Sequence, residues 1–375
     1  SVGASGVAVI EVPLSAENTG SETVQNKGVL IQSNDSVNVF VSSFQNYTHD
    51  LTQVLPEGSI GTSYRVDAYS GLPNFNNLHR SELLIVAVED GTQVRITPTV
   101  NTTGGRPAGV PFTVDLNAGQ TYQVQALTDV ADLTGTVVEG TDLSGPCRPF
   151  VVIGGSMCAG VPGGCSACDA VFEQLLPRTF WGSRFYTVPV NGTTAVTYRI
   201  LADQDGTSVS IGGGAPFILN AGQRHEVNGT NVPVCIQASR PVSVAQLLEG
   251  YGCAGNGDPS LFILSPHDRL SRSATFHTST SSQINQHSVS VIMPTGTSAP
   301  LLLNGIPVNP ALFQTYPGCS DRVWAQIPVS TGVNRLQSTV GFQAYMFGIG
   351  FGESYAASVN DISSPAVTQD SVVCS

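Results

Sequence analysis

The chain has 375 residues, of which 41% are hydrophobic and only 11% charged, with 40 glycines and 23 prolines. An average soluble domain carries about 25% charged residues, so polarity here rests on Ser, Thr, Asn and Gln in a turn-rich chain. The low charge and high apolar content exclude disorder, and the lack of a G-X-Y period excludes collagen.

The formal net charge is −12, and Lys27 is the single lysine. No basic stripe offers a footprint for nucleic acid or an anionic membrane surface. No run approaches the ~18 apolar residues of a membrane helix, and residues 1–10 lack a basic n-region. The chain is therefore expected to be a mature or excised segment that binds no nucleic acid and inserts into no membrane.

Eight cysteines, Cys147, Cys158, Cys165, Cys168, Cys235, Cys253, Cys319 and Cys374, form an even set. In a lysine-poor chain they favour disulfides and an extracellular setting. Five N-x-[ST] sequons, at Asn34, Asn46, Asn101, Asn191 and Asn228, permit N-glycosylation without arguing for it.

In chain order, residues 29–40 are expected to form an N-terminal hairpin. Short β-branched runs follow at 83–88, 93–96, 150–153, 196–200 and 289–292, each bounded by Gly, Pro, Asn or Asp. One helix is expected over 168–176, where Ala170, Val171, Phe172, Leu175 and Leu176 fall near a 3.6-residue period before Pro177. Repetition is the strongest feature. Glu89-Asp90-Gly91-Thr92 returns as Gln204-Asp205-Gly206-Thr207, and Leu116-Asn117-Ala118-Gly119-Gln120 returns unchanged as Leu219-Asn220-Ala221-Gly222-Gln223. Asp-Gly between strand runs predicts type I′ hairpins. A degenerate opening copy lies at 293–297. A second, closing hairpin is expected at 29–40, 147–152, 234–245 and 336–345. Together these predict an all-β chain of tandem β-sandwich-like modules at 50–160, 161–261 and 262–375, the last with a C-terminal tail, preceded by a hairpin segment over 1–49. Aligning the modules pairs Cys147 with Cys158 and Cys235 with Cys253, and leaves Cys165 with Cys168 and Cys319 with Cys374.

Motifs of chemistry are sparse. Cys165-Ser166-Ala167-Cys168 has redox or half-zinc spacing, but without a βαβ setting or a second ligand pair it reads as a structural disulfide. Asp203-Gln204-Asp205-Gly206 offers half a calcium loop, whose twelfth-position Glu is missing, so a turn is expected. No cofactor is implied. Calcium alone stays open, because carboxylates from separate loops could converge on it without a sequence pattern. Asn256-Gly257-Asp258-Pro259 is similar to the autocleaving Gly-Asp-Pro-His tetrapeptide of von Willebrand-type modules but has Ser260 in fourth place, and reads as an uncut turn. The six histidines are dispersed and no nucleophile elbow is present. Trp181 and Trp324 are expected to pack in a core rather than to bind.

Several stretches resemble the N-terminal domain of the IgGFc-binding protein family. They are Cys168-Asp169-Ala170-Val171-Phe172-Glu173-Gln174-Leu175-Leu176-Pro177, Trp181-Gly182-Ser183-Arg184-Phe185, Tyr198-Arg199-Ile200-Leu201-Ala202, residues 257–266 and residues 344–355. The likeness covers about residues 25–356. It implies a secreted or cell-surface module of a larger protein or fibre that binds protein or glycan partners without catalysis. Self-association into a larger assembly is a further expectation. No motif for immunoglobulin contact transfers onto particular residues. The competing reading is a carbohydrate-active enzyme or its accessory domain, which would need two acidic residues facing a cleft.

Overall fold

The computed structural model describes residues 6–45, 47–141 and 147–360. A short strand β1 (Val24–Gln25) precedes a hairpin of β2 (Phe40–Gln45) and β3 (Thr48–Gln53). The hairpin expected at 29–40 is corrected: residues 26–39 hold no strand, and Val29, Leu30, Ile31 and Val37 are exposed because nothing packs against them.

The rest of the described chain repeats one scheme three times. The first copy comprises β4 (Ser63–Arg65), β5 (Ser81–Ala87), β6 (Thr92–Thr97), β7 (Phe112–Leu116), β8 (Thr121–Gln125), β9 (Val137–Gly140), β10 (Phe150–Ala159) and β11 (Asp169–Gln174). The second has β12 (Gly182–Tyr186), β13 (Val196–Ala202), β14 (Thr207–Ile211), β15 (Phe217–Leu219), β16 (Arg224–Thr230), β17 (Cys235–Leu248), a short helix α1 (Tyr251–Ala254) and β18 (Ser260–Ile263). The third has β19 (Ser271–His277), β20 (Ile284–Pro294), β21 (Leu302–Leu303), β22 (Ile306–Pro307), β23 (Gln314–Tyr316), β24 (Cys319–Pro328), β25 (Val333–Gly350) and β26 (Glu353–Ser358).

One sheet runs β7-β6-β9-β4 in the first copy, β15-β14-β17-β12 in the second and β22-β21-β25-β19 in the third. The other runs β8-β5-β10-β11, β16-β13-β17-β18 and β24-β20-β25-β26. All pairings are antiparallel. The fold is all-β, as the sequence indicates.

The closing hairpins are a second correction: at 234–245 and 336–345 a single long strand, β17 or β25, stands in place of a hairpin, and 147–152 leads into the single strand β10. In β17, Ile236 to Ala238 pair with β14, and Val242 to Leu248 pair with β13, so a single strand serves both sheets. The amides of Leu175, Leu264 and Val359 donate to Val152, Val244 and Ala344 respectively, which fixes equivalent positions in the three copies. Three residues before each acceptor stand Pro149, Pro241 and Gly341. Proline has no amide for the ladder and glycine tolerates close approach, so these positions form the corner where the strand changes sheets. A Cβ on Gly341 would lie 2.5 Å from that of Leu270.

The Asp-Gly turns are likewise not hairpins. Strands β5 and β6 lie in different sheets, β13 and β14 pair with different parts of β17 rather than with each other, and only Gly91 (φ 70°) and Gly206 (φ 67°) have positive φ, whereas type I′ needs two such residues. Each turn instead clasps the second repeated motif. Asp90 Oδ1 accepts from Ala118 N, Gly91 N donates to Asn117 Oδ1, and Asn117 N donates to Gln120 Oε1. The same bonds recur from Ala221 to Asp205, Gly206 to Asn220 and Asn220 to Gln223. The two repeated phrases are thus halves of one contact.

Alternating burial in β5 and β6 places Leu83, Ile85, Ala87, Val94 and Ile96 in the first core, where each large apolar side chain contributes about 1.5–3 kcal/mol. Strand β13 is buried on both faces. Tyr198, Ile200 and Ala202 line its own core, while Arg199 reaches into the first copy. Trp324 lies in the core shared by the second and third copies, and Trp181 is half-buried with Nε1 donating to Leu176 O at 3.4 Å.

Candidate functional site

The disulfides connect differently from the sequence alignment. Cys158 pairs with Cys168, Cys165 with Cys253 and Cys235 with Cys319. Cys147 is also disulfide-bonded, and Cys374 lies outside the described residues. The expected pairs failed because Cys235 opens a 14-residue strand and Cys253 lies past its other end, a span on the order of 40 Å, whereas bridged Cα atoms lie within about 7 Å. Cys147 likewise lies before β10, and Cys158 sits near the far end of that strand. The Cys165-Cys168 and Cys319-Cys374 assignments fall with them.

The helix expected at 168–176 is strand β11. Its inward positions Asp169, Val171 and Glu173 alternate, but two of the three are acids, which hides a period of two from a hydrophobicity reading.

Strand β11 and its equivalents β18 and β26 are the last strands of the three copies, and they pack together with β3 at their centre. Their outer edges are not laddered to one another. Side chains satisfy the edge amides instead. Asp50, wholly buried on β3, accepts from Phe172 N (3.0 Å) and Leu261 N (3.3 Å) through Oδ2, and from Leu51 N (2.9 Å) and Ser260 Oγ (2.5 Å) through Oδ1. Gln174 N donates to Thr52 Oγ1, Ile263 N to Glu173 Oε1 and Ala356 N to Ser260 Oγ. Asp50 therefore stitches three strands from different parts of the chain.

Among the described residues, no cation offsets the charge on this seam. Burial raises the carboxyl of Asp169 to about 9 and those of Asp258 and Glu353 to about 7; the charges of Asp258, Asp50 and Glu353 push Asp169 further up, and that of Asp258 pushes Glu353 further up. Burial lifts Asp50 to about 7 against its four donors, and holds His49 neutral, lowered to about 4. Folded carboxyls above their unfolded values of about 4 retain protons that the unfolded chain has lost, so stability falls as pH rises from about 4 through 7–9. The melting temperature in metal-free buffer is accordingly expected to be higher at pH 5.5 than at pH 8.5; a rise over that interval would show that the seam is ionised without cost.

Above the seam, the connections between β10 and β11, between β17 and β18, and between β25 and β26 meet at one end. Cys165–Cys253 ties the first two, Gly250 N donates to Val161 O, and Gly257 N donates to Gly350 O. Tyr251 on α1 and Phe351, exposed to 37% and 68%, pack edge-on with ring centroids 4.7 Å apart. The sequence gives no period for this pair, since the rings come from separate copies.

The remaining candidates are engaged or dispersed. Asp203 is held by Arg65 (3.4 Å) and Arg178 (2.7 Å), and Asp205 by the clasp, so the half calcium loop is a turn. Among the described residues, the one trio of ligand atoms within 4.8 Å is His79, Cys158 and Cys168, whose sulfurs are tied up in the disulfide. Asn34, Asn101, Asn191 and Asn228 are exposed, and Asn46 lies outside the described residues.

A family profile described as IgGFc binding protein matches residues 50–348. The chain belongs to the IgGFc-binding protein family. Human IgGFc-binding protein is 31% identical over 184 residues, which is 48% of this chain and 3% of the human protein. The chain thus spans a small fraction of that relative. The seam residues Asp50, Asp169, Asp258 and Ser260 and the ring of Tyr251 all fall inside the stretch that the family profile matches, while Phe351 and Glu353 lie just beyond it. Among the described residues, no helix is long and apolar enough to cross a membrane.

Proposed function

We propose that this chain is a non-catalytic extracellular binding module of a larger secreted or cell-surface protein, and that it docks a protein partner, with IgG Fc the first to test, through the three-loop end. The observation that carries the reading is the Tyr251–Phe351 pair, two large rings held in the open by a disulfide-tied frame. Aromatic side chains dominate protein contacts because they bury much area with few rotamers to freeze. Disulfides support the extracellular setting. N-glycans at the exposed asparagines, and the division of the chain into an N-terminal segment and three modules sharing one strand order, belong to the same reading.

The carbohydrate-active enzyme reading is less well supported, since the converging acids Asp50, Asp169, Asp258 and Glu353 are buried where no sugar reaches them. Surface plasmon resonance with immobilised Fc, alongside a glycan array, tests the proposal. Tyr251→Ser combined with Phe351→Ser should weaken capture about 30-fold, the effect of losing one hot spot of ~2 kcal/mol. Unchanged capture by the double variant, or capture of glycans alone, would move the docking face elsewhere.

A further inference from the structure

We propose that Asp169, Asp258 and Glu353 form a calcium site on the seam, one carboxylate from each copy of the repeat. The register makes them equivalent. Each stands six residues before Leu175, Leu264 or Val359, whose amides make the matching bonds to Val152, Val244 and Ala344.

Contacts bring the three together. Gly257, just before Asp258, donates its amide to Gly350 O, and the Ser354 hydroxyl, next to Glu353, bonds both N and O of Asp258. His49 donates its amide to Asp169 Oδ2 at 3.1 Å, and its ring lies tilted against that of Tyr355 with centroids 5.4 Å apart. Both Glu353 oxygens, Asp169 Oδ1 and Asp258 Oδ1 are buried and without a hydrogen-bond partner. Among the described residues, no arginine or lysine makes a salt bridge to any of the three. Four bare, buried carboxylate oxygens are a costly arrangement for an apo fold, and a hard cation resolves it.

The donor set selects the ion. Carboxylate oxygens suit calcium or magnesium rather than zinc. No choice of one oxygen from each of Asp169, Asp258 and Glu353 puts all three within 4.8 Å of one another, so the ion draws the three carboxylates inward by side-chain rotation. Calcium accepts such a loose, irregular shell of long bonds, whereas magnesium demands a tight octahedron. The inference also gives Asp258-Pro259 a role: the Asp of a sequence similar to a self-cleaving tetrapeptide becomes a ligand, and the proline directly precedes the strand whose Ser260 hydroxyl donates to Asp50.

The test uses the full chain stripped with EDTA at pH 7.5. Calcium at about a hundredfold over its Kd should raise the melting temperature by about 3 °C, and magnesium should do so less. Terbium should show emission sensitised by Tyr355, two residues from Glu353, and calcium should quench it by displacement. Glu353→Gln and Asp258→Asn should each abolish the calcium shift while leaving the EDTA melting temperature equal or higher, because a bare buried charge has gone. Asp268→Asn, on an exposed residue, should keep the shift. Equal melting in EDTA and calcium, together with no displaceable terbium emission on the unaltered chain, overturns the proposal whether or not the variants fold. A calcium shift that survives in both Glu353→Gln and Asp258→Asn overturns it as well.

Discussion

Arg199→Ala is expected to lower the free energy of unfolding by about 3–5 kcal/mol, the cost of removing one partner from a buried ion pair. Arg199 is 4% exposed and comes from β13 of the second copy. Its guanidinium donates to Asp132 Oδ2 (3.0 Å), Ala68 O (2.7 Å) and Thr134 Oγ1 (3.2 Å) of the first copy and to Glu226 Oε2 (2.6 Å) of its own, with Tyr69 under the charge at 3.9 Å. Burial works against this charge, and Asp132 and Glu226 overcome it. Burial also works against Asp132, yet Arg199 and Arg224 hold its carboxyl below the usual range. Without Arg199, Asp132 stays buried with Arg224 at 3.1 Å as its one cationic partner, and the Ala68 carbonyl keeps only the Thr134 hydroxyl as a side-chain donor. Urea unfolding reads the effect as a lower midpoint at constant slope. Arg199→Met combined with Asp132→Asn should recover part of the loss, because it withdraws both charges. A single variant within about 0.5 kcal/mol of the parent, the range of ordinary surface substitutions, would show that the two copies are not joined through this residue.

Replacing both Cys165 and Cys253 with serine should cost about 4.5 kcal/mol, against about 2.7 kcal/mol for Cys158 and Cys168, on the chain-entropy account of loop closure. The difference follows from sequence separations of 88 and 10 residues. The longer closure also holds together the loops that carry Tyr251, so its loss should loosen the aromatic pair, while the shorter one constrains only the entry to β11. Non-reducing peptide mapping checks the connectivity first: peptides joining Cys165 to Cys253 and Cys235 to Cys319 are expected, and a Cys235–Cys253 peptide would contradict the fold. Urea midpoints of the two double variants then rank the closures, and a larger loss from the short one would overturn the entropic ordering.

The fold class was legible because strand propensity is local. Runs such as Leu83–Val88 carry their β-branched pattern and their bounding turns in a few residues. The repeats were legible for the same reason: Asp90-Gly91-Thr92 and Asn117-Ala118-Gly119-Gln120 are each short enough to be copied recognisably. What they do to each other was not legible, because the clasp spans 26 residues between Gly91 and Asn117 and depends on two sheets facing each other. The long strands were misread as hairpins for a related reason. Ser239-Arg240-Pro241 has the composition of a turn, and only the second sheet waiting beyond the corner shows that the strand goes on.

Composition, strand text and internal repetition by themselves determined an all-β chain built from copies of one unit, since those properties depend on near neighbours along the backbone. Tertiary structure alone decided the disulfide pairing, the Arg199 joint and the seam of Asp50, Asp169, Asp258 and Glu353. The physical reason is distance in sequence: Asp50 meets Ser260 across 210 residues, and a polar residue on a strand carries no local mark of being buried. Its burial is set by which other strands arrive to cover it, and here those strands belong to different copies of the repeat.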